Sequence, residues 1–208
     1  RVIPFLDGLT DQARSTGAVN TIFWQSDGLW GENTDCEGFV NPLKDVDQVP
    51  GSALILGAGG AAMACIAALR REGVGRIAVA ARKKDALDTL IQHFDIQGVS
   101  WEDRSGQKAD LLVNTTPLGM SGHSQDTSPM PRDVLAGFDL VYDLIYNPSQ
   151  SRLLREAKAK GCQTLGGTAM FVHQGAAQFK LWTGHGFDVR QAMEALRQTM
   201  IQLFQRQS

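Results

Sequence analysis

The sequence has no surplus of charge of either sign. Its 208 residues carry 20 Lys and Arg against 22 Asp and Glu, which gives a formal net charge of −2. The densest basic cluster is the triplet Arg82-Lys83-Lys84, and no Lys/Arg-rich block is interleaved with aromatic side chains. Proteins that bind nucleic acids usually carry such a block. The composition therefore argues against a nucleic-acid partner and favours a small-molecule ligand, since the triplet is small enough for a single phosphate group.

Long apolar runs and paired cysteines are also lacking. No run approaches the roughly 20 residues of a membrane-spanning helix, and the opening residues RVIP do not resemble a signal peptide. Cys36, Cys65 and Cys162 are far apart and show no Cys-x-x-Cys or Cys/His ligand spacing. Neither a disulfide framework nor a metal site is indicated, and we expect a cytoplasmic protein without a membrane partner.

Short apolar runs alternate with helical patterns after residue 50. The predicted strands are 53–56, 77–81, 111–114, 140–145 and 163–165, and the predicted helices are 61–71, 85–94 and 150–160. Apolar strands separated by helices are typical of a parallel sheet that is covered on both faces. Before residue 36, a short helix over 10–15 and a hairpin with an Asp27-Gly28 turn predict a small second sheet. Two further helices are predicted at 170–182 and 189–204.

A glycine-rich turn follows the first predicted strand, in the sequence LILGAGGAAMACIAAL at residues 54–69. Gly57 would permit a tight turn, Gly59 would let a pyrophosphate approach the backbone, and Ala62 would allow close packing of helix on strand. The N-terminus of the following helix supplies N–H groups and a positive dipole. An ordinary tight turn is the structural alternative, but the strand before and the helix after favour a dinucleotide site.

The end of the second strand distinguishes between dinucleotides. NAD sites place an acid there for the ribose 2′-hydroxyl. This sequence has Arg82-Lys83-Lys84 instead, and the nearest acid, Asp85, lies in the following helix. Cations at this point favour NADP over NAD. The structural alternative is a solvated basic turn that binds no ligand, although cations are unfavourable at the N-terminus of a helix.

The stretch GENTDCEGF at residues 31–39 combines capping residues with acids. Thr34 and Glu37 fit a capping box, which would place Asp35 in the first helical turn, where the dipole favours an ionised carboxylate. On this local pattern alone, a capping function for the stretch is favoured over a chemical one.

Six motifs run through nearly the whole chain: GAVNT (17–21), NTDCEGF (33–39), GAGGAA (57–62), VNTTPLGM (113–120), YDLIYNP (142–148) and GTAMFVHQGAAQFKLWTG (167–184). In the order and spacing of these motifs the sequence resembles the shikimate dehydrogenase family, including its quinate/shikimate paralogues. The resemblance implies NADP-linked, reversible reduction of the ring ketone of 3-dehydroshikimate to shikimate, within aromatic amino acid biosynthesis.

The resemblance also implies an α/β fold in three parts. A Rossmann-type doubly wound parallel sheet for NADP is expected at 37–166, the remnant of a smaller α/β substrate domain at 1–36, and C-terminal helices that return to the substrate domain at 167–208. A monomer or a homodimer is expected.

Four residues match positions that contact the substrate in this family. Asp35 matches the catalytic Asp, which binds a substrate hydroxyl and pairs with an acid/base Lys. Asn20 would bind substrate hydroxyls, Gln174 matches a substrate-binding Gln, and Tyr146 matches a Tyr close to substrate and nicotinamide. The structural alternatives are a strand amide that faces water for Asn20, a solvated helix face for Gln174 and a simply packed ring for Tyr146.

A larger set matches the family's cofactor positions. In the family these residues hold the pyrophosphate, contact the 2′-phosphate, line the nucleotide crevice or pack around nicotinamide. They are Gly57, Ala58, Gly59, Gly60 and Ala61 for the pyrophosphate, Arg82 and Lys83 for the 2′-phosphate, Asn114 and Thr115 for the crevice, and Leu144, Gly167 and Met170 around nicotinamide. For Met170, a helix-core position is nearly as well supported.

The family's segment with the carboxylate-binding Ser-x-Ser and the catalytic Lys has no counterpart in these residues. The first lysine of the sequence is Lys44, which follows Asp35. We therefore expect a chain that begins after that segment. An NAD-using quinate/shikimate dehydrogenase and a catalytically incomplete nucleotide-binding fragment remain as alternatives.

Overall fold

The computed structural model describes residues 2–46, 50–122 and 124–205. The first part forms a small three-stranded sheet in the order β1-β3-β2. Its strands are β1 (Gly8–Leu9), β2 (Thr21–Gln25) and β3 (Gly28–Glu32), and α1 (Asp11–Thr16) follows β1. Gln25 pairs with Gly28 across a two-residue turn, and Gly28 has φ 140°, a conformation that favours glycine. The predicted hairpin is therefore confirmed.

A six-stranded parallel sheet follows helix α2 (Asp35–Leu43). Its strands are β4 (Ser52–Leu56), β5 (Arg76–Ala81), β6 (Gln97–Ser100), β7 (Leu111–Asn114), β8 (Leu140–Asp143) and β9 (Gln163–Gly166). Their spatial order is β6-β5-β4-β7-β8-β9, the 3-2-1-4-5-6 order of the dinucleotide-binding fold. The strand order reverses between β4 and β7, so a ligand crevice is expected at the carboxyl ends of these two strands. The predicted Rossmann-type fold is confirmed.

Helices cover both faces of this sheet. They are α3 (Gly60–Arg71), α4 (Lys84–Phe94), α5 (Arg152–Ala159) and α6 (Gly167–Thr183), and the last helix is α7 (Val189–Gln205). Every residue of β4 is buried because apolar clusters lie on both of its faces. In the described part of the chain, no helix is both long and apolar enough to cross a bilayer.

Helix α6 connects the two sheets. At its middle it packs closely on α2, since a Cβ added to Gly38 would lie 2.7 Å from the Cβ of Gln174. At its end, Nε1 of Trp182 donates a hydrogen bond of 2.9 Å to the carbonyl of Ile22 in β2. The expected division of the chain at residues 36 and 166 stays a prediction.

Two strands were not predicted, and one ends earlier than predicted. β1 has two residues, and β6 (QGVS) has no apolar run; its Gly98 lets α4 approach, because a Cβ there would lie 2.5 Å from Cδ1 of Ile91. β8 ends at Asp143 rather than at residue 145, because the Asp143 carboxylate accepts a hydrogen bond from the N–H of Ile145. That side chain turns the backbone out of the sheet.

Candidate active site

Asn20 and Asp35 are in direct contact. Asn20 immediately precedes β2, and Asp35 is the first residue of α2. Nδ2 of Asn20 donates to Oδ1 of Asp35 at 2.9 Å, while Oδ1 of Asn20 accepts from the Thr34 N–H at 3.0 Å. One amide therefore fixes both the start of the helix and the carboxylate beside it.

The predicted capping box at Thr34 and Glu37 is wrong. The Thr34 hydroxyl donates to Oδ1 of Asn20 at 3.2 Å and accepts no hydrogen bond from the helix backbone. Instead, Oδ1 of the buried Asn33 accepts from the Asp35 N–H at 3.1 Å. Because neighbouring residues order the helix start, the Asp35 carboxylate is not used as a cap.

Asp35 is partly buried at this position. Burial raises the pKa of Asp35 above its ordinary value, although the hydrogen bond from Asn20 acts in the opposite direction. The expectation that the helix dipole would dominate is therefore not met, because desolvation outweighs the charge-stabilising contacts. A cation placed beside Asp35 would lower its pKa again. Among the described residues, the carboxylate has one side-chain hydrogen-bond partner, Asn20, and forms no ion pair.

One face of α6 links the substrate and cofactor positions. Gly167, Met170 and Gln174 are spaced three and four residues apart, which places them on the same side of a helix. Gln174 packs against Gly38, one turn after Asp35 on α2. Gln174 therefore lies within about one helical turn of the Asn20–Asp35 pair.

The start of α6 is packed tightly against the loop after β8. A Cβ on Gly167 would lie 2.1 Å from the carbonyl oxygen of Leu144, and the Gly167 N–H donates to the carbonyl of Ile145 at 3.1 Å. Met170 is buried in the core. The structure thus brings Leu144 and Gly167 together and buries the Met170 side chain in the core, and packing of the three residues around nicotinamide stays a prediction.

Tyr146 belongs to the same loop, and its side chain is half exposed. Its ring stacks on Phe171 of α6, with the centroids 5.0 Å apart and an angle of 28° between the planes. Sequence reasoning identified Tyr146 but gave Phe171 no function.

The glycine turn leaves room for a pyrophosphate. Gly57 has φ 109°, and a Cβ there would lie 2.5 Å from Oγ1 of Thr115, whose hydroxyl donates to the Leu56 carbonyl at 2.7 Å. No atom lies within 4 Å of a Cβ built on Gly59 or Gly60. Because α3 begins there without a side-chain cap, its first N–H groups face open space.

Ala58 and Ala61 are half-buried within the same turn, and Ala62 is fully buried. Small side chains at these positions keep the turn close to the strand. The residues present therefore fit a dinucleotide.

The cationic triplet lies at the end of β5 and is exposed. Lys83 occupies the N-cap position of α4 without a side-chain hydrogen bond, and Lys84 is the first residue of that helix. In the described part of the chain, Arg82, Lys83 and Lys84 form no ion pair. Cations at a helix N-terminus are unfavourable, and a bound phosphate would remove this cost.

A buried polar network joins the carboxyl ends of β7 and β8. Nδ2 of Asn114 donates to Oδ1 of Asp143 at 2.9 Å, and Oδ1 of Asn114 accepts from the Thr116 N–H at 2.9 Å. The Ser151 hydroxyl, at the N-cap of α5, donates to the other Asp143 oxygen. Since Asn114 is fully buried, its side chain orders the crevice loops rather than facing into the crevice.

Sequence reasoning missed Asp143. Burial raises the pKa of Asp143 to about 6, against hydrogen bonds from Ser151, Ile145 and Asn114. An acid directly after the apolar residues of a strand, in LVYD, was the available signal.

The fold and the site define a dinucleotide-dependent enzyme, and comparisons with known proteins identify its family. The family described as "Shikimate 5'-dehydrogenase C-terminal domain" matches residues 167–197. A protein named shikimate dehydrogenase (NADP(+)) from Maridesulfovibrio salexigens is 43% identical over 195 residues, covering 94% of this chain and 72% of that protein. The chain belongs to the shikimate dehydrogenase family.

Solved structures agree with this assignment. Shikimate 5-dehydrogenase from Thermus thermophilus, in complex with NADP(H) and shikimate, matches with a TM-score of 0.82 and 37% identity, over 95% of this chain and 74% of that one. Quinate dehydrogenase from Corynebacterium glutamicum in complex with NAD matches with a TM-score of 0.84 and 32% identity, over 95% and 73% of the two chains.

Proposed function

We propose that this protein is an NADP-dependent shikimate dehydrogenase that catalyses the reversible reduction of 3-dehydroshikimate to shikimate. The observation that carries the proposal is the single face of α6, on which Gly167 packs against the loop after β8 and Gln174 packs against Gly38, one turn from Asp35 on α2. Polar substrate groups and the dinucleotide would thus meet along one helix. The curated relatives carry the same activity in their names.

The chain's own residues account for cofactor binding. The N–H groups of the turn from Gly57 to Ala61 would bind the pyrophosphate, and Arg82 with Lys83 would bind the 2′-phosphate. Leu144 and Gly167 would line the part of the cofactor site that holds nicotinamide and would exclude water from it. Bound NADPH supplies the hydride for the ketone carbon.

The substrate side depends on hydrogen-bonding groups. The amides of Asn20 and Gln174 would hold ring hydroxyls, and Asp35 would accept a hydrogen bond from one of them. The Tyr146 hydroxyl would approach the substrate from the loop after β8. When the ketone is reduced, a positioned acid must give its proton to the forming alkoxide oxygen. Asp35 would orient and tune a neighbouring cationic acid, as the family's Asp–Lys pair implies, but no lysine partner of Asp35 lies within residues 2–46, 50–122 and 124–205.

An NAD-using quinate dehydrogenase is the second candidate, because the quinate dehydrogenase structure bound to NAD has a similar fold. The end of β5 argues against it, since Arg82 stands there and the nearest acid, Asp85, lies in the first turn of α4.

Steady-state assays that follow the absorbance of the reduced nucleotide, NADPH or NADH, test the proposal with four pairs: shikimate or quinate, each with NADP+ or NAD+. We expect the highest kcat/KM for shikimate with NADP+. A higher value for quinate with NAD+ would assign the protein to the second candidate, and binding of NADPH without turnover of either ring would support a nucleotide-binding function alone. A cytoplasmic location and a monomeric or homodimeric state stay predictions.

A further inference from the structure

Phe171 is a large apolar side chain of α6 that is left 42% exposed. It lies on α6 directly after Met170 and three residues before Gln174, so it shares a side of the helix with Gln174. Tyr146, 45% exposed, stacks on it. An exposed aromatic pair one helical turn from Gln174 calls for a functional explanation, because adjoining apolar surface that is rimmed by polar groups commonly marks a binding site.

The stack on Phe171 is the aromatic contact that Tyr146 makes among the described residues. Among the described residues, the Tyr146 hydroxyl receives and donates no hydrogen bond within 3.5 Å, so no polar contact with them fixes the ring. Stacked aromatic rings at centroid distances of about 4.5–7 Å attract each other beyond simple burial. The ring of Phe171 therefore restricts a side chain whose polar end is left available for a ligand.

We propose that Phe171 is a positioning residue of the substrate site: its ring holds Tyr146 in the orientation in which the tyrosine hydroxyl meets the substrate, a hydroxylated cyclic carboxylate. The inference rests on the proposed function. Aromatic pairs of this kind typically change an equilibrium constant by about twofold to tenfold. Loss of the ring should raise KM for the cyclic substrate by a factor in that range, while KM for NADP+ stays unchanged.

The chain offers a matched control on the same helix. Phe179 lies eight residues after Phe171 on α6, is 40% exposed, and pairs with another exposed aromatic ring, Phe187, at 5.5 Å. Phe179→Ala removes the same chemical groups from the same helix without touching Tyr146. It therefore reports any general effect of aromatic truncation on α6.

The experiment measures kcat and KM for shikimate and NADP+, together with the melting temperature, in Phe171→Ala, Phe171→Tyr and Phe179→Ala. We expect Phe171→Ala to raise KM for shikimate about twofold to tenfold. Phe171→Tyr should keep KM for shikimate at the parent value because a ring is again present, and Phe179→Ala should also leave this KM at the parent value. In a Tyr146→Ala background, Phe171→Ala should have no further effect, since its partner is gone.

Several results would overturn the inference. If Phe171→Ala raises KM for shikimate equally with and without Tyr146, Phe171 acts directly on the substrate or through the fold. An equal rise of this KM in Phe179→Ala, or no rise in Phe171→Ala, would contradict the positioning function. Failure of the proposed function would be distinguishable, because the parent enzyme itself would then not oxidise shikimate.

Discussion

Nδ2 of Asn20 donates a hydrogen bond of 2.9 Å to Oδ1 of Asp35, and this bond joins the start of β2 to the start of α2. It bears on whether Asp35 serves to start a helix or to do chemistry. The helix start is ordered by Asn33 and Asn20, so the carboxylate is left for another partner. We therefore expect the carboxylate of Asp35 to have a chemical task, and this expectation can be tested by substitution.

Asp35→Asn should separate these tasks. The substitution keeps the shape and an oxygen that accepts from Asn20, but it removes the charge. We expect kcat to fall by about a hundredfold to ten-thousandfold, because a positioned acid/base system loses its carboxylate. The melting temperature should change little, since burial already disfavours the charged form, as the raised pKa of Asp35 indicates.

Glu37→Gln is the control for this prediction. Glu37 is an exposed acid two residues further along the same helix, and its substitution should leave turnover and stability at parent values. Turnover close to the parent in Asp35→Asn, with a lowered melting temperature, would show that Asp35 is structural after all.

Arg82→Ala should reduce the preference for NADPH over NADH. A charge-assisted contact to the 2′-phosphate is typically equivalent to about 1.5–3 kcal/mol, so the Kd for NADPH should rise about tenfold to a hundredfold. The Kd for NADH, which lacks that phosphate, should not change. Calorimetric titration of both nucleotides measures this, with the exposed Arg190→Ala as control. An equal rise in the Kd values for NADPH and NADH would contradict a contact between Arg82 and the 2′-phosphate.

The parts of the molecule that the sequence predicts well are those determined by local pattern. Apolar runs and the glycine turn identify β4, β5 and β7 together with α3, because strand and helix periodicity involve only near neighbours.

The errors involve partners far apart in sequence. Thr34 does not cap α2, because its hydroxyl is turned towards Asn20, 14 residues earlier, to which it donates, and accepts from no N–H group of the helix. Asp143 went unnoticed because its partner Asn114 lies 29 residues away on the adjacent strand. The pairing of Phe171 with Tyr146 was likewise hidden, since it depends on how α6 packs against the loop after β8.

Two glycine substitutions should have different effects on folding and binding. Gly57→Ala places a Cβ 2.5 Å from Thr115 Oγ1 at φ 109°, so both the melting temperature and NADPH binding should fall; the left-handed backbone alone costs about 1–2 kcal/mol. Gly59→Ala meets open space in the protein, so its melting temperature should match the parent. Its Cβ would occupy room needed by the pyrophosphate, and we expect NADPH affinity to fall about tenfold.

Gly106→Ala is the control, because a Cβ there also meets no atom within 4 Å and lies in a short 3-10 helix away from the glycine turn. Thermal unfolding and calorimetry are measured on each variant. Undiminished NADPH affinity in Gly59→Ala would place the pyrophosphate elsewhere.

Asp143 should make stability depend on pH. Its pKa is about 6 in the folded protein, against an ordinary value of 3.8 that we take for the unfolded chain. Between these values the folded state binds more protons than the unfolded state, so the free energy of unfolding must fall as pH rises. The cost of ionising the buried carboxyl is absent below about pH 4 and fully present above about pH 6, and it is of the order of 3 kcal/mol.

Urea unfolding at several pH values between 4 and 7.5 tests this in the parent and in Asp143→Asn. Other carboxyl groups titrate in both proteins, so the difference between the two pH profiles isolates Asp143. We expect the parent to lose stability relative to Asp143→Asn as pH rises to about 6, with no further divergence above it. Because the same carboxylate holds Asn114 and Ser151, the variant should also bind NADPH more weakly at every pH, through looser crevice loops. Parallel pH profiles would mean that the pKa of Asp143 is not raised in the folded protein, because its hydrogen bonds offset its burial.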